Sequence, residues 1–466
     1  MSKKVQSVGV LDRLSSLPDH ILCRVLSLLP TKDVVRTSII SLRWRYLYAS
    51  SVSIIDFNDC LPHISVPSEN DIIYFNDCLP QFPAPSENDN NFLDFVDRFF
   101  SINKQLSLEC FRVNDFWVRM DDIQRDEGYL RLNGWICATL WCGVKEIDIR
   151  FIYEDVPALP TLLFTCQSLV TLKLIIRGNM KVPSNTCLPN LKTLHFTFSK
   201  FQDGYSVLRL ISNCNVLENL EFIYCEFGNI RELNIHNLSL KRLVLDFCDL
   251  YIQSHRGFNV IEIDTPNLVY FKYVDAMVEG YTLSDMKSLE SAHISITLLA
   301  SVDYERATYL LKRICNVQSL FLAIEDYSST LFLAPLDPML AFKNLVELYF
   351  LNYDTDDQGT WIVKFLHCMP NLKTLKLSLE INSEGFRSLP TAVPLCLLFH
   401  IKEIKIIYFD GDEHTLEMIS YFLKHASVLE KLVFTIIDPW EKEESTIIEK
   451  LLSLPKKSKK CEIVTP

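Results

Sequence analysis

The chain has 466 residues, 48% hydrophobic and 22% charged, which is ample material for a packed core and not a disordered composition. Lys and Arg number 46 against 58 Asp and Glu, a net charge of -12, which excludes a broad basic face binding nucleic acid by counterion release. Only 12 glycines occur, with no G-x-G among them, so glycine-rich phosphate cradles are excluded too. The opening MSKKVQSVGVLDRL carries no signal-peptide apolar core, and no uncharged run is long enough to span a bilayer. The expectation is a protein of the cytoplasm or nucleus with no membrane partner, whose 15 cysteines are reduced thiols packed as small hydrophobes. No C-x-x-C is present, and the nearest ligand-like spacings, Cys137/Cys142 and Cys396/His400, lack a second pair. No metal or other cofactor is expected.

Residues 11–50 read as three short helices. Ser16 and Asp19 fit an N-terminal capping pattern, with Pro18 in the first turn, where a missing N–H costs nothing. Ile21, Leu22, Val25, Leu26, Leu28 and Leu29 then recur at helical spacing until Pro30. A second helix carries Val34 and Val35, and a third carries Trp44 and Leu47. So small a bundle cannot hide all of this apolar surface, and an exposed apolar face marks a docking surface.

Three segments of this module, Leu17-Pro18-x-x-Ile21-Leu22, Leu28-Leu29-Pro30-Thr31-Lys32-Asp33 and Arg43-Trp44-Arg45, together resemble the F-box of plant F-box proteins. The resemblance implies docking onto the Skp-type adaptor, and through it a cullin, of an SCF ubiquitin ligase. The implied contact residues are Leu17, Pro18, Ile21, Leu22 and Val25, supported by Val34, Val35 and Trp44.

Next comes a duplication. FNDCLPHISVPSEND (57–71) returns as FNDCLPQFPAPSEND (75–89). Proline with Ser, Asn and Asp in each copy reads as a loop-like linker over residues 51–91.

Beyond it, the pattern apolar-x-x-apolar-x-apolar begins at Val144, Leu169, Leu191, Leu217, Leu240, Leu268, Leu289, Val317, Leu345, Leu372, Ile401 and Leu429. An earlier member starts at Leu108. Steps of 21–29 residues match the leucine-rich repeat, and Cys225 and Cys248 complete its L-x-x-L-x-L-x-x-N/C form in two units. Side chains alternate along each short strand, so the last two anchors of a unit point together into the core. No unit buries its anchors alone, so neighbours stack. The fold class is therefore α/β: a leucine-rich-repeat solenoid (horseshoe), one continuous array from about residue 100, preceded by a small all-α module. Between strands lie helix-like or irregular returns; one clear helix carries Leu132, Trp135, Ile136, Thr139 and Leu140.

At the end of the chain, Pro394-Leu395-Cys396-Leu397, Ile401-Lys402-Glu403-Ile404, Phe409-Asp410-Gly411 and the run Tyr421–Leu432 resemble the FBD domain that closes many plant F-box/LRR chains. The resulting division is a tail (1–10), F-box (11–50), linker (51–91), leucine-rich repeats (92–385) and FBD or capping repeats (386–466). The stretch PKKSKK (455–460) reads as a solvated turn before a last strand, Glu462–Val464.

No catalytic constellation appears: no G-x-S-x-G, no H-E-x-x-H, and ten histidines never four apart. A non-catalytic role follows. An adaptor-binding head joined to a long surface resembles the substrate-recognition subunit of an SCF ligase, with an unknown protein as target; the alternative is an interaction scaffold without a ligase role. The outward residues between the last two anchors run Asp148, Lys173, His195, Glu221, Val244, Lys272, His293, Phe321, Tyr349, Lys376, Lys405 and Val433. Most are polar. Phe321 and Tyr349 break that pattern on consecutive strands, with Leu351 beside them and His293 and Lys376 as rim. Aromatic anchors in a polar rim are the composition of a binding hot spot, so these five residues are the candidate target site.

Overall fold

The computed structural model describes residues 17–29, 33–34, 37, 43–44, 47, 53–56, 96–97, 100, 108–114, 122–151, 158–247, 258–299, 302–326, 340–352, 358–379, 389–409, 413–436 and 448–464. The duplicated segments 57–71 and 75–89, Val35 and Cys248 lie outside these residues. The chain divides into two compact units, Met1–Gln202 and Asp203–Pro466.

The first unit opens with helix α1 (Asp19–Leu26). Pro18 precedes this helix rather than lying in its first turn, and its carbonyl accepts the Ile21 and Leu22 N–H groups at 3.0 and 3.2 Å. Strand β1 (Ile54–Asp56) follows, then β2 (Cys110–Asn114), helix α2 (Asp122–Trp141), β3 (Glu146–Phe151), a short 3-10 turn (Thr161–Phe164), β4 (Thr171–Met180) and β5 (Thr193–Phe201). These five strands pair in parallel in chain order. Strand β1 corrects the linker boundary. Ile55 is fully buried and pairs with Phe111, so residues 54–56 belong to the array although three residues are too few to show a period. Helix α2 forms where expected, with Leu132, Trp135, Ile136, Thr139 and Leu140 all buried.

The second unit contains α3 (Gly204–Asn213), β6 (Asn219–Ile223), β7 (Glu226–Phe227), β8 (Glu232–His236), β9 (Arg242–Asp246), β10 (Val260–Asp264), β11 (Tyr270–Ala276), β12 (Gly280–Leu283) and β13 (Ser291–Leu298). There follow α4 (Asp303–Arg313), β14 (Ser319–Asp326), β15 (Glu347–Asn352), α5 (Gln358–Leu366), β16 (Thr374–Leu379), α6 (Leu395–Phe399), β17 (Glu403–Phe409), α7 (Glu413–His425), β18 (Lys431–Ile436) and β19 (Glu462–Val464). One parallel sheet runs β6-β9-β11-β13-β14-β15-β16-β17-β18-β19, and a second runs β12-β10-β8. The second sheet differs from the expected helical or irregular returns. Where segments such as ELNIH and VIEID alternate apolar and polar residues, the return itself is a strand; where a longer amphipathic run is available, as in α4, α5 and α7, it is a helix.

Every strand of the main array from β3 onward that follows a pattern start begins two residues after it, and all three anchors of each of the twelve starts are at most 3% exposed. The anchors at Leu108, Phe111 and Val113 are buried in the same way. Rings fill the wider spaces: Phe227 meets Phe222, Phe247 and Phe258 edge-on, and Trp361 stacks between Phe350 and Phe365. The PKKSKK segment is a turn held by a Lys457 N–H bond to the Leu423 carbonyl and a Ser458 hydroxyl bond to the Leu429 carbonyl, and it leads into β19.

Candidate binding surfaces

Two surfaces stand out, one in each unit. In the first, α1 buries Leu22 and Leu26 and leaves Ile21, Val25, Leu28 and Leu29 exposed, the last two in the turn after the helix. Leu17 is partly exposed and Pro18 exposed. Leu22, Val34 and Trp44 are 0%, 2% and 3% exposed, so in the free chain Leu22 lies under the face rather than on it, and Val34 and Trp44 lie under it as its expected supports. They form the inside of the module. Leu28 and Leu29 join the exposed face. The face is anchored from a distance: the Arg43 guanidinium donates to the Leu17 carbonyl at 2.7 Å and to the Asp19 carboxylate at the start of α1.

In the second unit, the strand registers align the outward residues into one row, with Glu221 beside Val244, then Lys272, His293, Phe321, Tyr349, Lys376, Lys405 and Val433 on successive strands. The early part of this row is satisfied internally. Arg242 pairs with Glu221 at 2.9 Å and lies 4.1 Å from the Tyr270 ring centre, and Lys272 pairs with Asp246 at 3.0 Å. Then the chemistry changes. The His293 imidazole stacks on Phe321 with centroids 3.9 Å apart, Phe321 meets Tyr349 edge-on at 4.7 Å, and the Lys376 ammonium lies 4.0 Å above the Tyr349 ring. These four side chains form one ladder across four strands. Leu351 is partly exposed beside it, between Ala323 and Ser378 in register.

Burial, with a smaller contribution from Lys272, pushes the His293 pKa down to about 4, so the ring is uncharged at neutral pH. Burial also lowers the Lys376 pKa, and the neighbouring Lys405 charge lowers it further. Not every outward position is solvated. Val244 in this unit, and Asp148 and His195 at the corresponding positions of the first unit, are buried. His195 shares a 2.7 Å hydrogen bond with Thr197, which makes it part of the packing.

Of the cysteines and histidine at ligand-like spacing, Cys396 is buried, and Cys137, Cys142 and His400 are partly exposed. The Cys396 thiol donates to the Leu366 carbonyl at 3.5 Å and is pushed up to about 12 by burial, which also raises Cys137 and Cys142. Among the described residues no group of three or more His, Cys, Asp and Glu could hold a metal ion, and no helix is long and apolar enough to cross a membrane.

The F-box domain family matches residues 14–47, and the family described as "At1g61320/AtMIF1, LRR domain" matches residues 109–462. The second match alone covers most of the chain. The chain belongs to the F-box/LRR-repeat proteins. It is 30% identical over 488 residues to F-box/LRR-repeat protein At3g59200 of Arabidopsis thaliana, covering 97% of this chain and 88% of that one. F-box/LRR-repeat protein 13 of the same plant is 30% identical over 477 residues, covering 97% and 96%. F-box/FBD/LRR-repeat protein At1g78750, also from Arabidopsis thaliana, is 29% identical over 497 residues, covering 99% and 98%. In this F-box/LRR-repeat protein, then, α1 belongs to the F-box and the aromatic ladder to the repeats.

Proposed function

We propose that the protein is the substrate-recognition subunit of an SCF-type E3 ubiquitin ligase. Its F-box would engage a Skp-type adaptor and through it a cullin, and its repeats would hold an unknown protein target. The observation that carries the reading is a module that buries Leu22, Val34 and Trp44 while leaving Ile21, Val25, Leu28 and Leu29 uncovered, a geometry suited to docking. The subunit supplies no reacting group; it contributes proximity between target and charged ubiquitin enzyme. Residues 386–466 are read as the FBD segment closing the repeats, and the site of action as the cytoplasm or nucleus.

The test is a pull-down of a Skp-type adaptor with the wild-type chain and with Ile21→Asp/Val25→Asp. Both side chains are more than a third exposed, so the pair leaves the module's interior intact. Capture by wild type and loss by the variant are expected. No capture by either chain would favour the scaffold alternative, and equal capture by both would move the docking face elsewhere.

A further inference from the structure

The row of the second unit changes character along its length: His293, Phe321 and Tyr349 are followed on the next two strands by Lys376 and Lys405. We propose that this row receives an extended acidic peptide segment, with a large apolar side chain on Phe321 and Tyr349 and an anionic side chain against Lys376 and Lys405. The inference rests on the recognition-subunit reading above and names the chemistry of the target.

Charge placement commits the site to an anion. Lys272, at the opposite end of the ladder, is neutralised by Asp246. Neutral His293 extends the apolar shelf rather than adding charge. Lys376 forms no ion pair among the described residues; its only close partner there is the Tyr349 face. Lys405 lies 3.4 Å from Glu403, and the two lysines stand side by side in register. A carboxylate or phosphate at this pair would offset the like-charge repulsion between the two ammonium groups. Glu347 occupies the strand position two residues before Tyr349, and Glu403, two before Lys405, already lies against that lysine, which leaves Lys376 as the principal anion partner of the row.

Length fixes the spacing. Phe321 and Lys376 are two strand steps apart, about 10 Å at about 4.8 Å per step. An extended peptide advances about 3.3 Å per residue and its side chains alternate between faces, so the anions that share a face with the apolar side chain are two and four residues from it, about 7 and 13 Å along and on either side of that distance. Backbone polarity is left open by this geometry; the order of chemistry along the row is not.

The probe is a fluorescein-labelled peptide, Gly-Trp-Ser-Asp-Ser-Asp-Gly, read by fluorescence anisotropy on the full chain purified with its adaptor. Control peptides replace both Asp by Asn or by Lys, or Trp by Ala, and a phosphoserine version distinguishes phosphate from carboxylate as the preferred anion. Binding of the Asp peptide at least tenfold tighter than the Asn peptide is expected, weakening as salt rises. Lys376→Glu/Lys405→Glu should reverse the preference toward the Lys peptide. Lys376→Gln, which removes charge with little change of shape, should cost several-fold and serves if the double variant does not fold. Equal affinity for the Asp, Asn and Lys peptides, indifference to Lys376→Gln, or no binding would overturn the proposal. The Ile21→Asp/Val25→Asp chain separates the two readings. If it loses the adaptor yet keeps the peptide preference, both stand. Failure of wild-type adaptor capture removes only the ligase reading, and failure of the peptide arm removes only the site.

Discussion

His293 provides a pH-dependent test of the ladder. Its pKa is about 4 in the folded chain against an ordinary 6.5, because the imidazole is largely withdrawn from water and faces Lys272 across the register. Above about pH 7 the ring is neutral in both the folded and unfolded chain, so it contributes no pH dependence there. As pH falls from 6.5 toward 4, the unfolded chain takes up a proton that the folded chain refuses, and stability is lost over that window. From these two values the loss reaches about 2 kcal/mol at pH 5. His293→Phe removes the titrating group while keeping a flat ring to stack on Phe321. Urea denaturation followed by tryptophan fluorescence, at pH 7.5 and pH 5, should show the variant losing about 2 kcal/mol less than wild type between the two conditions. Carboxylates titrating in the same range affect both chains alike and cancel in the difference. Parallel losses in the two chains would refute the buried, uncharged imidazole and with it the apolar continuity of the ladder.

Two further outcomes test the packing of the repeats. A Cβ at Gly204 would lie 2.9 Å from Ile230 Cγ2, so Gly204→Ala should destabilise by about 1–3 kcal/mol; Gly134→Ala, with nothing within 4 Å, should instead stabilise helix α2 by up to about 1 kcal/mol, both read from denaturant midpoints. Exposed Cys187 should react rapidly with a thiol reagent at pH 8, whereas Cys110 and Cys396, buried and pushed up to about 12, should react only after unfolding; mass spectrometry showing native labelling of Cys396 at the Cys187 rate would contradict that burial.

The repeat array was legible because each unit repeats a local demand, three apolar positions at fixed offsets, and each such position found a buried place. The ladder was legible for the same reason: with the register set by the anchors, neighbours in the row follow from counting. What failed to show in the sequence depends on contacts between distant segments. Leu22 and Val25 are both apolar and three residues apart, yet only the rest of the module decides that one is buried and the other open. Ile54–Asp56 has a place only because Cys110–Asn114 lies beside it. The Arg43 contacts with Leu17 and Asp19 join residues 26 and 24 positions apart, beyond any periodic signal. The β8-β10-β12 sheet had a sign in the alternation of ELNIH and VIEID, but five residues each carry too short a period to stand out against the leucine pattern.

One more recurrence was present in the letters. Asparagine immediately precedes the first anchor at Leu191, Leu268, Leu345 and Leu372, and its side-chain amide donates to a carbonyl of the preceding repeat: Asn190 to Gln167, Asn267 to Leu238, Asn344 to Asn316 and Asn371 to Lys343. Ser168, Ser239 and Ser458 donate in the same direction, to Val144, Asn215 and Leu429. In every case the donor is made after the acceptor. During synthesis, each of these turn side chains therefore meets a carbonyl of a repeat made before it. The turns thus give the array a direction of growth that matches the direction of the ribosome.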